Sequence, residues 1–340
     1  MIENGNKFDI LKFVLAILIV GIHSSKSGMI FRPVLRLAVP LFFIISSYLF
    51  FLKQTKLITY QDRFQGLKRY AKRILRLYFF WFLLLLPFVI FYREWYIDFG
   101  IDKLILVVKS FLFGSTFVAS WFLMASLIGV AIVWLLASLK VKNCYIIAIG
   151  VIIYAFCCLV SNYYNPISGC KTFVDIYNGY THYFFTPFNS FPCSILFVGI
   201  GKLLAERKLT SSNGQIWTLL VFSMLLLYLE FFITQKYFKA YYDDCFIMLP
   251  AACTCIFMLI GQSHPCTMKC DTSKLRSHST IIYCCHGTIL KMMHLLFFKE
   301  ADGYMPLVLF LIALAVSIAI GSLLLRLERC QHLGWLKYSH

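Results

Sequence analysis

Apolar residues in this chain come in blocks of about 17 to 20 separated by short polar stretches, which is the spacing a ~30 Å hydrocarbon core demands. Phe alone occurs 34 times, 60% of the 340 residues are hydrophobic and 14% are charged. A soluble chain carries roughly a quarter charged residues, so the bilayer is the solvent for most of this surface. Apolar windows give about ten candidate spans, at residues 8–24, 34–52, 75–92, 119–139, 144–160, 184–204, 216–233, 245–260, 281–298 and 306–325. Residues 104–114 are apolar but too short to cross, and they fit the outer interface. The expected fold class is all-α, a polytopic membrane helix bundle of about ten transmembrane helices. With no internal period and no Gly/Ser linker in the sequence, residues 1–340 read as a single transmembrane domain.

A formal charge of +17 raises nucleic acid as a partner. A nucleic-acid binder gathers Lys and Arg on a water-facing domain, and this sequence has none, so no nucleic acid is expected. Placing both the N- and C-termini in the cytoplasm puts most of the 32 Lys and Arg on inner segments, as membrane topology favours. Eight of them lie between the second span and the first turn of the third: Lys53, Lys56, Arg63, Lys68, Arg69, Lys72, Arg73 and Arg76. They suit topology and attraction to anionic membrane lipids. Arg73 and Arg76 stand apart, where the third helix enters the membrane. Glu3 and Asp9 in the leading segment, with no small-x-small site after the first apolar run, argue for a retained helix rather than a cleaved signal. The expected location is the plasma (inner) membrane, multi-pass.

The 13 cysteines are scattered and odd in number, so they read as small buried hydrophobes rather than a disulfide framework. His264, Cys266, Cys270 and His278 have a spacing that fits no common zinc site, and no metal is expected. The sequence contains no phosphate-binding Gly loop, Gly-x-Ser-x-Gly elbow or metalloprotease motif.

Ionisable groups inside spans are costly and mark function by default. In the first span Asp9, Lys12 and His23 share one side, because eleven steps at ~100° return to within about 20° of the starting face. His23 lies about 16 Å beyond Lys12, a separation suited to a long donor whose anionic end stays at the inner surface. An imidazole there can take a proton from a sugar hydroxyl as general base; equally, it can cap the span at the outer interface.

The stretch FDILKFVLAILIVGIH, then VPLFFIISSYLF, RILRLYFFWF, SWFLMASL, TPFNSFPCSILFVGIGKLL and IIYCCHGTIL, resembles the acyltransferase-3 family of membrane O-acyltransferases across nearly the whole chain. The family pattern Asp-x-x-Arg-x10-His falls on Asp9, Lys12 and His23. Its Pro-x-Phe-Phe-x-x-Ser-Gly-Tyr falls on Pro40, Phe42, Phe43, Ser46 and Tyr48, its Arg-x-x-Arg on Arg73 and Arg76, and its Tyr-x-x-His on Tyr283 and His286. Lys12 replaces the usual Arg, keeping charge but losing the bidentate fork. Ser47 replaces a Gly, which implies a looser backbone approach there.

The resemblance implies transfer of an acyl group, usually acetyl from acetyl-CoA, to a hydroxyl of a cell-envelope glycan or a lipid-linked oligosaccharide. It implies His23 as the catalytic base, and Arg73 and Arg76, with Lys12, as the donor-binding cations. Asp9 is expected to act with His23 in the catalytic set, pairing with Lys12 one turn away and orienting it. Ser46, Trp121, Asn189, Tyr283 and His286 are the candidate substrate-binding residues, while Trp81, like Trp121, also has the placement of an interfacial or packing aromatic and Glu230 reads as facing outer-surface water. The rival reading is a membrane transporter of a small solute such as an amino acid, which a polar cavity with Lys12, His23 and His286 would also serve.

Overall fold

The computed structural model describes residues 5–24, 30–93, 100–207, 211–262, 272–296, 305–330 and 332–340. Among them the regular structure is entirely helical. The helices are α1 (Gly5–Ser24), α2 (Arg32–Leu35), α3 (Ala38–Gln54), α4 (Tyr60–Tyr92), α5 (Ile101–Phe113), α6 (Trp121–Ser138) and α7 (Asn143–Val160). They continue with α8 (Tyr164–Ile167), α9 (Lys171–Tyr183), α10 (Phe191–Glu206), α11 (Asn213–Lys236), α12 (Leu249–Gln262), α13 (Ser273–Leu296) and α14 (Met305–Leu327). Short 3-10 turns occupy Pro187–Asn189 and Gly334–Ser339.

Six helical segments among the described residues are long and apolar enough to cross a bilayer: Arg32–Gln54, Tyr60–Tyr92, Trp121–Ser138, Asn143–Val160, Asn213–Lys236 and Pro306–Leu327. Lys171–Asn189 and Phe191–Glu206, bent by 46°, make a seventh if they form one broken span. The ten sequence windows exceed this number for physical reasons. The 20-residue α1 carries Lys7, Asp9 and Lys12, the 24-residue α13 is interrupted by Lys274, Arg276 and Lys291, and α12 has only 14 residues, about 21 Å of helix. The chain is a multi-pass membrane protein.

Local signals set the helix ends. Thr59 caps α4, its Oγ1 accepting from the Asp62 N–H at 3.0 Å, and Ser212 with Gln215 forms a capping box on α11, each satisfying otherwise orphaned N–H groups. At 33 residues α4 is about 50 Å long, so its basic first half extends past the hydrocarbon.

Helix α10 packs against α3, α6 and α7, and α1 against α13, α3 and α14. The α3–α10 crossing is close: a Cβ on Gly201 would meet Ser47 Oγ at 2.0 Å and the Ile44 carbonyl at 2.7 Å. The expected loosening at Ser47 is therefore absent. Ser47 is fully buried, donates to the Phe43 carbonyl at 2.7 Å, and finds its missing space in the glycine of the opposite helix, the small-residue device of membrane helix packing. The bundle has a basic end, where the first half of α4 projects, and a histidine end, where α1 finishes at His23.

Candidate active site

At the basic end α1, α3, α4, α6 and α13 enclose a cavity of 580 Å³. Its wall carries five cations, Lys12, Lys53, Arg69, Arg73 and Arg276, and one carboxylate, Asp9. Ser46, Phe42, Phe122 and Tyr283 line it further in. Five positive charges around one negative charge make a site for a polyanion, because charge-assisted hydrogen bonds from Arg and Lys to anionic oxygens are among the strongest a side chain makes.

Asp9 does not close an ion pair with Lys12. Its carboxylate accepts from Thr272 Oγ1 at 3.4 Å and lies 3.9 Å from Arg276 Nη1. The sequence expectation placed the pair along one helix, but the tie runs from α1 to α13 and leaves the Lys12 ammonium facing the cavity.

Tyr283 links this cavity to the other end. Its hydroxyl donates to the Ala119 carbonyl, its ring stands edge-on to Phe122 at 5.3 Å, and it lies 6.1 Å from the ring of His286. Ala119 has a left-handed backbone, φ 66°, which costs about 1 kcal/mol in an L-residue. The cost is offset by a tight bonded turn: Ser120 Oγ accepts from the Thr116 N–H at 3.0 Å, Ser115 Oγ from the Trp121 N–H at 3.2 Å, and Tyr78 bonds Thr116 at 2.6 Å. That turn starts α6 so that Phe122 reaches the cavity.

His286 is fully buried on α13. Its Nδ1 lies 2.9 Å from the Ile282 carbonyl, which can only accept, so the network assigns the proton to Nδ1 and the lone pair to Nε2. Nε2 has no hydrogen-bond partner among the described residues. The exposed ring of His23, in the last turn of α1, lies 5.2 Å away. Cavity, Tyr283, His286 and His23 thus follow one another from the basic end to the histidine end.

Not every sequence candidate joins this line. Arg76 faces away from the cavity, with its guanidinium over the Tyr338 ring at 5.0 Å. Trp121 packs beside Phe43 at 6.2 Å, and its neighbour Phe122 takes the cavity wall instead. Asn189 sits in the 3-10 turn before α10, outside the cavity. Of the two placements expected for Trp81, interfacial or packing, the structure gives packing: it is buried with its indole N–H donating to the Ser339 carbonyl at 3.0 Å. Eight of the eleven described cysteines are buried and all eleven are free. His264, Cys266 and Cys270 lie outside the described residues.

Sequence reasoning missed three groups. Arg276, on α13, enters the cavity from far along the chain. Glu230, expected to face water, is buried, where it accepts from Tyr163 Oη at 2.8 Å and from the Ile247 and Met248 N–H groups at 2.7 and 3.2 Å. At the histidine end Asp243 bonds both Arg32 and Arg36, and Asp244 meets Arg36 at 2.7 Å. Two adjacent aspartates beside an aromatic stretch, with two arginines four apart, were the available signal. A wider cavity of 920 Å³ beside α7 has a similar balance, with Arg63, Lys140, Lys142, Lys202 and Arg207 around Glu206, but it is lined by none of the candidate residues.

A family profile described as an acyltransferase domain matches residues 6–326. Two Enterococcus faecalis proteins named amino-acid racemase are similar to the chain, one 24% identical over 353 residues and one 26% identical over 357, each across 97% of this chain and 47% of its own length. The chain spans about half the length of these curated relatives. No solved structure matches it.

Proposed function

This chain belongs to the acyltransferase-3 family of membrane acyltransferases, and we propose that it moves an acetyl group from cytoplasmic acetyl-CoA to a hydroxyl of a cell-envelope glycan or lipid-linked sugar. The observation that carries the proposal is the five-cation cavity joined through Tyr283 and His286 to the exposed imidazole of His23. In this reading the basic end and both termini face the cytoplasm of an inner membrane, and α1, α12, α13 and the broken α9–α10 pair complete ten crossings with the six apolar spans.

Lys12, Arg69, Arg73 and Arg276 would hold the donor's phosphates, and the apolar wall of Phe42 and Phe122 its thioester arm. His23 would take the proton from the acceptor hydroxyl as that oxygen attacks the thioester carbonyl. The C–S bond breaks, an ester forms, and the coenzyme thiolate leaves to collect a proton. Ser46 and Tyr283 would orient the acyl group, and His286 would support the His23 ring from behind. Asp9 would act on Lys12 indirectly, by neutralising part of the charge around it. A carrier for a zwitterionic solute has no use for four cations in excess of carboxylates at one end of its path.

The test is purified full-length protein with acetyl-CoA. A ligand that binds only the folded state at a hundred times its Kd stabilises by about 2.7 kcal/mol, so the melting temperature should rise and free thiol should appear slowly as water replaces the acceptor. A protein neither stabilised by acetyl-CoA nor releasing thiol from it would overturn the reading.

A further inference from the structure

On the outer side of α4, away from the cavity, Lys68, Lys72 and Arg76 follow one another at four-residue steps and are continued by Phe79, Phe80, Leu83 and Leu84. Four-residue steps turn only about 40° round the helix, so Lys68, Lys72, Arg76, Phe80 and Leu84 form a single stripe that changes from cationic to apolar just beyond Arg76. The 3-10 turn Gly334–Ser339 lies alongside it. Trp335 stands 5.7 Å from Phe80, Tyr338 lies under Arg76, and the Trp81 indole bonds Ser339. Between stripe and turn runs an open groove of 870 Å³ lined by three cations and no carboxylate. Phe79, Leu83 and Leu84 are 46%, 63% and 51% exposed.

We propose that this groove is a binding site for one anionic membrane phospholipid, its phosphate between Lys68, Lys72 and Arg76 and an acyl chain along Phe79, Phe80, Leu83 and Leu84 beside Trp335. The change from charge to hydrocarbon along the stripe is the layout of such a lipid at a membrane surface, and basic pockets at the ends of transmembrane helices recognise anionic headgroups. A zwitterionic lipid carries no net charge to answer three uncompensated cations. A free phosphate compound would leave the exposed apolar floor unmatched, and a second copy docking by the same face would set its cations against these. Arg73, three residues from Arg76 and about 60° round the helix, lines the cavity instead. The bound lipid would clamp the C-terminal turn onto α4 while the other face of α4 holds the donor. The proposal needs only that α4 crosses the bilayer, and it stands whether or not the chain transfers acyl groups.

The test is native mass spectrometry of the full chain with phosphatidylglycerol or with phosphatidylcholine of the same acyl chains. One phosphatidylglycerol should stay bound under activation that strips phosphatidylcholine, with a preference of tenfold or more that weakens with salt. Lys68→Gln with Lys72→Gln, both exposed and outside the cavity, should abolish the preference, and Lys140→Gln, elsewhere at the basic end, should not. Excess glycerol phosphate should not displace the lipid. Bromine on the lipid chain should quench fluorescence in the wild type and quench it less in Trp335→Phe. Equal retention of the two lipids, an unchanged preference in the double variant, displacement by glycerol phosphate, or equal quenching in Trp335→Phe would each overturn the proposal.

Discussion

The two ends of the bundle use arginine in opposite ways. At the histidine end Arg32 and Arg36 meet Asp243 and Asp244, and Arg32 also donates to the Ile22 carbonyl at 3.1 Å, one residue before His23. Burial pushes the Asp243 carboxyl up, but Arg36 and Arg32 beside it win and hold it below the usual carboxylate range. Asp244, deeper, is pushed up by burial. In the Asp9 cavity at the basic end, five cations share that one carboxylate. Charge that the chain neutralises itself fixes shape, here the loop before α12 against the end of α1, whereas charge left uncompensated waits for a ligand.

The sharpest break of this comparison is Asp243→Asn. It leaves Arg32 and Arg36 without their shared partner, and removing one member of a part-buried, multiply bonded pair costs up to about 3 kcal/mol. Thermal unfolding in detergent should show that loss, while the folded fraction keeps its affinity for acetyl-CoA. Because the folded pKa is depressed, the stabilisation from Asp243 is present at neutral pH and is lost as pH falls below the ordinary value of ~3.9 toward the folded one. Unaltered stability in the variant would dissolve the structural role of this end.

Next in size is His23→Ala, expected to lower turnover by on the order of a hundredfold, the usual range for a lost general base. His23→Gln should fail equally, because an amide cannot take the proton, and both should bind donor normally. Acetylation of the glycan at equal membrane levels of each variant is the measurement, and wild-type product from His23→Ala would refute the assignment.

Arg73→Ala should weaken acetyl-CoA binding by roughly ten- to a hundredfold, since it removes a contact of about 1.5 to 3 kcal/mol to a charged group, and the deficit should shrink in high salt. Arg76→Ala, beside it in sequence but outside the cavity, should change donor affinity little. Equal losses in titration calorimetry would erase the distinction between the two arginines. The smallest effect belongs to Lys12→Arg, which keeps the charge and adds a fork; acetyl-CoA affinity should move by less than about tenfold in titration.

Much of this was legible in one dimension. The shared face of Asp9, Lys12 and His23 follows from helical period alone, and the apolar blocks mark the membrane spans. What escaped depends on neighbours distant in sequence. Helical spacing pairs Asp9 with Lys12, yet the carboxylate turns to Thr272 and Arg276 because α13 packs on α1. Glu230 looks solvent-facing until the start of α12 presents two N–H groups to it. Arg73 and Arg76 form one motif in the chain but line two different hollows, since three residues of helix turn far enough to separate them.

The distance between the cation cavity and His23 has an electrical consequence. A membrane potential does about 2.3 kcal/mol of work per elementary charge per 100 mV. If the phosphates remain with the cations at one end, the moiety that passes to the other is an uncharged acyl group, and no net charge traverses the field in a turnover once the thiol and the base have exchanged their proton on the same side. In the proposed reaction acyl delivery is then electroneutral, and collapsing the potential with an ionophore should leave its rate where it was.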